Sequence, residues 1–211
     1  MKMTHLFASC LLLVGCESEI DNKTAAEVAP ASPPAEQAKP AAPTTTAAAA
    51  PAGSLPLQPG STIEWVGAKV TSDHKGGFKT LSGHATVEDG TVKGATVAID
   101  VSSLYSDHPK LTKHLLSNDF FDVSTFATTT FEITEVSSGE GDLSTVTGTL
   151  DLHGIQKNIS FPATVTTTDS SATISAEFTL LRKDFGMVYP GKPDNLIRDE
   201  VLVKGTLSFG G

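Results

Sequence analysis

From Thr62 to Phe209 apolar and polar residues alternate in short runs, the period-two signature of strands with one buried face. Ile159, Phe161, Ala163 and Val165 share one face of Asn158–Val165. Ala172, Ile174, Ala176, Phe178 and Leu180 do the same in Ala172–Leu180. Val146–Leu152 and Val201–Phe209 repeat the pattern, and Thr62–Lys69, Phe78–Val87, Thr91–Val101 and Thr130–Val136 complete a set of eight predicted strands. Turn chemistry separates them at Glu88-Asp89-Gly90, Ser138 to Asp142, His153-Gly154 and Asp169-Ser170-Ser171. One helix is predicted, Pro109 to Leu116, with Asp107 as its cap, Pro109 in its first turn and Leu111 and Leu115 on one face.

One-sided patterning in that many strands predicts an all-β fold, an eight-stranded antiparallel β-barrel with one short helix that leaves no exposed edge. A β-sandwich is the alternative, because alternation does not show closure. The polar faces carry Thr, Ser, Glu and Lys, which belong in water and argue against a barrel that spans an outer membrane. Small residues interrupt the predicted inner face at Gly148, Ala163, Ala172, Ala176 and Gly205. A barrel of this size either fills its interior with side chains or holds one ligand, and pattern alone leaves both open.

The chain ahead of the strands reads differently. Lys2 followed by the largely apolar run Leu6–Val14 has the layout of an export signal, and a run of nine residues is too short for a bilayer span of roughly 20. Leu13-Val14-Gly15-Cys16 resembles a lipobox, in which a small residue precedes the cut and the thiol takes the lipid through a thioether. We therefore expect a signal peptide over 1–15 and lipidation at Cys16. The only other cysteine, Cys10, falls inside that signal. Residues 16–59 are rich in Ala, Pro and Thr and poor in large apolar side chains, so they read as a disordered tether, with the barrel domain at 60–211. As a flexible coil, such a tether spans on the order of 35–40 Å. Net charge is −9, of which five acids and two lysines in the tether supply −3 (2 − 5), so the domain is acidic as well and offers no basic stripe for nucleic acid.

An ordered set of fragments from Ser61 to Phe209 resembles the YceI-like, polyisoprenoid-binding family of periplasmic lipocalin-like barrels. The fragments are Ile63-Glu64-Trp65-Val66-Gly67, Gly77-Phe78 with Gly83, Asp100 to Leu104, Lys110 to Leu115, Ser117 to Val123, Gly148 to Ile155, Phe161-Pro162, Arg182 to Met187 and Ile197 to Val201. Two positions depart from the family pattern. Lys113 replaces an acidic residue, which bears on charge at the barrel mouth, and Ala127 replaces a proline in a loop. The resemblance implies an interior that holds a long apolar chain, an isoprenoid quinone or polyprenyl lipid. The lining it suggests is Trp65, Phe78, Phe120, Phe121, Phe131, Phe178 and Phe185 with Leu111, Leu115 and Met187. Ala176 and Gly205 are the small positions beside which a chain would lie, and His114 is the candidate for a headgroup hydrogen bond at the mouth. For each, ordinary core packing is the competing reading.

No chemistry beyond binding is expected. The histidines show no metal-site spacing, no cysteine follows Cys16, and neither a nucleophile elbow nor a phosphate-binding glycine loop is present. Asp184, Asp194, Asp199 and Glu200 lie near Arg182, Lys183 and Arg198, which reads as a solvated salt-bridge network. The expectation is a non-enzymatic envelope lipoprotein without a metal or other cofactor, binding a long-chain lipid. Glu17 after the acylated cysteine favours the outer membrane, facing the periplasm. The competing functions are a structural or stress lipoprotein without ligand, and a carrier of fatty acids or amides.

Overall fold

The computed structural model describes residues 18–30, 51 and 53–211. The expected signal and Cys16 lie outside the described residues. The strands are β1 (Glu27–Pro30), β2 (Leu55–Pro56), β3 (Thr62–Lys69), β4 (Ser72–Phe78), β5 (Leu81–Glu88), β6 (Thr91–Asp100), β7 (Leu104–Ser106), β8 (Thr128–Ser138), β9 (Ser144–Leu152), β10 (Ile155–Thr168), β11 (Ser171–Leu181), β12 (Gly191–Lys192) and β13 (Asn195–Gly210). The helix α1 covers Pro109–Leu115. One strongly curled antiparallel sheet, a half-barrel, runs in the order β2-β5-β6-β8-β9-β10-β11-β13-β3-β4-β7, with β1 on β10 and β12 on β13.

All eight predicted strands are present, but the predicted Phe78–Val87 divides: β4 ends at Phe78 and β5 starts at Leu81. Ser103 Oγ accepts the backbone N–H groups of Lys79 and Thr80 at 3.1 and 3.0 Å and fixes that break. β4 had no hydrophobic signal, because Ser72 to Gly77 carries no apolar side chain. It forms because its glycines admit close neighbours. A Cβ at Gly76 would lie 2.1 Å from the Tyr105 carbonyl and 2.4 Å from the Trp65 ring. The cap of α1 is also not the expected one. His108 Nδ1 accepts from Lys110 N–H at 3.3 Å, while Asp107 turns to His74 Nδ1 at 3.1 Å and to Lys75 N–H at 3.3 Å, tying the helix entrance to β4.

The two ends of the half-barrel differ. At one end lie the hairpin turns between Glu88 and Thr91, Ser138 and Ser144, and Thr168 and Ser171. Ala85, Val146, Ala172 and Phe209 are at most 1% exposed and close this end solidly. The segment before β3 seals its seam, with Leu57 N–H donating to Gly83 O at 2.9 Å and Gln58 N–H to Ser208 O at 2.7 Å. At the other end lie the β3–β4 turn, the His153-Gly154 turn, the 182–194 loop and α1. His153 (φ 55°) and Gly154 (φ 72°) form a two-residue turn of the type that suits a twisted hairpin, and His153 Nδ1 lies 3.1 Å from the Phe185 carbonyl, so this histidine supports its turn.

Composition assigns residues 18–30 to the tether, yet the structure binds them to the outside of the sheet as a strap. Ile20, 3% exposed, packs on Val66, Ala68 and Leu202. Ion pairs flank it: Asp21 with Arg198 at 2.8 Å, Glu19 with Lys75 at 2.8 Å and Lys23 with Glu177 at 2.9 Å. β10 and β11 pair only from Ala163/Ala176 to Thr168/Ser171 and leave backbone groups unpaired beyond that point. The strap takes up those groups. Ala26 N–H donates to Thr179 O and Thr179 N–H to Thr24 O, both at 2.9 Å, while β1 pairs with Lys157 to Ser160 of β10. Ala26 and Val28 pack against the main core from this gap.

Candidate functional site: an apolar cavity open at one end

Between the curled sheet and α1 lies a cavity of about 470 Å³, within the roughly 300–1,000 Å³ of small-molecule sites. Its deep wall is apolar. Phe161 and Phe178 stack at 4.0 Å with ring planes 12° apart, and Phe131 adjoins Phe161 at 5.7 Å. Ile63, Ile133, Leu150, Ile159, Ile174, Val203 and Leu207 complete that wall. Polar side chains gather at the loop end, where Lys69, His74, His114, Tyr189, Lys192, Asn195 and Arg198 border the opening. The cavity is therefore a sock, closed at the hairpin end and open beneath the helix.

All thirteen residues singled out from the sequence lie along this wall: Trp65, Phe78, Leu111, His114, Leu115, Phe120, Phe121, Phe131, Ala176, Phe178, Phe185, Met187 and Gly205. Trp65, Phe78, Leu111 and Phe121 pack with Leu115, Phe120 and Leu104 in a cluster under α1. Phe185 (0% exposed) and Met187 (6%) come from the turn after β11. The small inner-face positions separate into two kinds. Ala176 and Gly205 are direct partners across β11 and β13 and both face the cavity. Gly148 is covered by the Phe131 ring, 2.8 Å from where its Cβ would stand, and Ala163 and Ala172 belong to the closed core. Of the wall residues that sequence reasoning did not single out, Phe161, Ile159, Ile174, Val203 and Leu207 sat on the alternating faces. Tyr189 carried no signal, since it belongs to an irregular loop.

At the mouth, His114 Nε2 lies 2.8 Å from Asp119 Oδ2, and its ring meets Phe120 and Tyr189 edge-on at 5.1 Å each. Arg182 departs from the expected solvated network, being 5% exposed. It donates through Nε to Arg198 O at 3.1 Å and through a terminal nitrogen to Met187 O, which fastens the 187–198 loop to the wall. Burial pushes the Arg182 guanidinium below its ordinary value, with nearby Asp199 opposing. The other members do pair near the surface, Lys183 with Asp199 at 3.3 Å and Arg198 with Glu200 at 3.7 Å. Among the described residues no group of three or more His, Cys, Asp and Glu side chains could hold a metal ion.

A curled antiparallel sheet around a largely apolar cavity defines a β-barrel-like module with room for a ligand. The chain belongs to the YceI-like domain family, whose model matches residues 57–209. It is 31% identical over 138 residues to a UPF0312 protein of Pseudomonas putida (strain W619), covering 62% of this chain and 72% of that one. It is 38% identical over 92 residues to a UPF0312 protein of Vibrio parahaemolyticus, covering 42% and 48%. In fold it is similar to BcnA of Burkholderia cenocepacia, with TM-score 0.61, 23% identity and coverage of 70% of this chain and 95% of that one. It is similar also to a polyisoprenoid binding domain from Saccharophagus degradans implicated in plant cell wall breakdown, with TM-score 0.59, 19% identity and coverage of 72% and 94%.

Proposed function

We propose that this protein is an envelope lipoprotein, acylated at Cys16 and held at the outer membrane facing the periplasm, whose half-barrel binds a long-chain apolar lipid. An isoprenoid quinone or polyprenyl lipid is the ligand class that fits best. The carrying observation is the cavity itself, whose deep wall is largely apolar while most of its polar side chains gather at the opening. Such a wall can order a hydrocarbon chain and one polar end, which is the division an isoprenoid presents. The similarity in fold to the polyisoprenoid binding domain of Saccharophagus degradans supports the same reading. Each buried methylene contributes about 0.8 kcal/mol, so about ten balance the roughly 8 kcal/mol of micromolar affinity before ordering costs. His114 stands at the mouth, where it can meet a headgroup. Its partner Asp119 occupies only Nε2 and leaves Nδ1 for that bond.

The test is extraction of the purified mature protein with organic solvent, followed by mass spectrometry and by titration with a quinone. Trp65, the only tryptophan, lines the cavity and reports binding through quenching of its fluorescence. An extractable isoprenoid, or saturable quenching, is the expected result. Protein that yields no apolar ligand and leaves Trp65 unquenched by quinone or polyprenyl lipid would refute the proposal.

A further inference from the structure

We propose that the open end of the half-barrel is a membrane-docking surface, seated on the phospholipid bilayer that the Cys16 anchor enters, with the cavity mouth facing the lipid. This inference rests on the anchored, lipid-binding reading above and adds where and how the domain meets its membrane.

Exposed apolar residues concentrate at one end of the molecule. Of the five large exposed apolar side chains among the described residues, Val70, Leu181, Val188 and Leu196 lie at the open end and only Leu143 at the closed end. Three of them are the most exposed, Val70 at 74%, Val188 at 65% and Leu196 at 51%. They are also brought together. Val70 N–H donates to Leu196 O at 3.2 Å, and Ile197 N–H to Pro190 O at 3.0 Å draws the Val188 loop alongside. Apolar side chains scattered over a surface need no explanation, but a group on converging loops does. Short apolar side chains on loop tips suit shallow entry into the boundary between headgroups and acyl chains.

This rim is continuous with the cavity. Lys69 precedes Val70 and Asn195 precedes Leu196, and both border the opening together with Lys192. Lys69 and Lys192 make no ion pair among the described residues, so their stems can lie along the apolar rim while the ammonium groups meet phosphates. A lipid moving between bilayer and cavity would cross this rim without entering water.

The strap brings the anchor to the same place. Ser18 Oγ donates to Asp73 Oδ2 at 2.7 Å, and Asp73 is the partner of Ala68 beside the β3–β4 turn that carries Val70. Two peptide units span at most about 7 Å, so an acylated Cys16 enters its membrane within that distance of Ser18. Ile20 and Asp21 then fix the chain to the sheet, which removes the slack a long tether would give.

The full chain, exported and processed in its host, is purified with Val70→Cys, Val188→Cys or, as control, Leu143→Cys, and labelled with an environment-sensitive fluorophore. It is then reconstituted in vesicles of phosphatidylethanolamine and phosphatidylglycerol. Emission at positions 70 and 188 should shift to the blue and be quenched by nitroxide-bearing lipid, while position 143 stays water-like. All three positions water-like would overturn docking. Protection of 70 and 188 from iodide without quenching by lipid would also overturn it, in favour of a protein partner or second copy. Intact mass separates the two proposals. Acylated protein with water-like probes leaves the anchor standing without docking. Unacylated protein whose probes still enter added vesicles leaves docking without the anchor, and unacylated protein that ignores the vesicles ends both.

Discussion

Gly205 offers a direct way to ask whether the cavity is ligand space. Its Cα is paired with that of Ala176, and a Cβ built on it meets nothing nearer than Thr62 O at 3.8 Å, an ordinary contact. Gly205→Leu therefore adds four carbons to open volume in a strand that tolerates a side chain. Relief of the glycine's chain entropy contributes roughly 0.5–1 kcal/mol, worth up to about 3 °C in Tm for a domain of this size. If a lipid chain lies there, about four of its carbons lose their place. At about 0.8 kcal/mol each the loss is about 3 kcal/mol, on the order of 100-fold in affinity. Gly148→Leu is the contrasting variant, since its Cβ would stand 2.3 Å from Glu132 O and 2.8 Å from the Phe131 ring. Overpacking there should cost about 1–3 kcal/mol or more and lower Tm by several degrees. The assays are thermal unfolding and Trp65 quenching by added quinone, run on both variants. If Gly205→Leu binds as the parent does, or unfolds as readily as Gly148→Leu, the space at Gly205 is not where a ligand lies.

The strap should respond to both mutation and pH. Ile20→Ala removes the side chain that fills the Val66, Ala68 and Leu202 site and should weaken docking by about 2 kcal/mol. Amide exchange of residues 26–29 would then quicken roughly 30-fold while β6 and β9 stay protected; unchanged exchange would deny the strap its anchor. Hydrogen bonds from Lys75 to Glu19, from Arg198 to Asp21 and from Lys23 to Glu177 hold these carboxyls below their ordinary values. Depressed folded values mean a contribution present above the unfolded carboxylate range, about pH 4, and lost as pH falls through the folded values. Limited proteolysis should therefore reach the strap in acid before the sheet opens, and simultaneous loss of both would refute this order. Cys16→Ser should leave an uncut or mislocalised precursor, because a hydroxyl cannot form the thioether; a normally processed, membrane-bound product would remove the anchor.

Legibility followed the physics of each element. Alternation made Thr62–Lys69 readable as β3, because the inward Ile63, Trp65 and Gly67 are apolar or glycine up to Lys69 at the opening, while the outward Thr62 and Glu64 are polar and Val66 and Ala68 are covered by Ile20. It failed at Ser72–Phe78, where the strand exists to let the Trp65 ring lie on bare backbone, a signal of absent side chains that hydropathy does not register. The cavity wall was readable for the same reason as the strands, since inward positions of a curled sheet converge on one interior. Whether an inward residue borders space or is packed solid was not readable. Gly148 and Gly205 look alike in sequence, and it is the Glu132 carbonyl and the Phe131 ring crowding Gly148 that separate them.

The strap shows the limit of composition as a guide to order. Glu17 to Pro30 has too few large apolar side chains to fold alone, and that inference is sound for an isolated chain. What it omits is the vacancy elsewhere in the molecule. β10 and β11 separate beyond Ala163 and Ala176, and unpaired strand edges demand partners. A segment with one isoleucine, small side chains such as Ala26 and alternating charges meets that demand through backbone pairing and short-range ion pairs rather than through a hydrophobic face of its own. The consequence is topological. On the proposed anchoring at Cys16, residues 31–50 follow the strap in sequence rather than separating it from the anchor, so their length would set no distance from the membrane. On that reading the distance is set by Glu17, the single residue between Cys16 and Ser18, which would bring the open end of the cavity to the bilayer from which the proposed ligand would come.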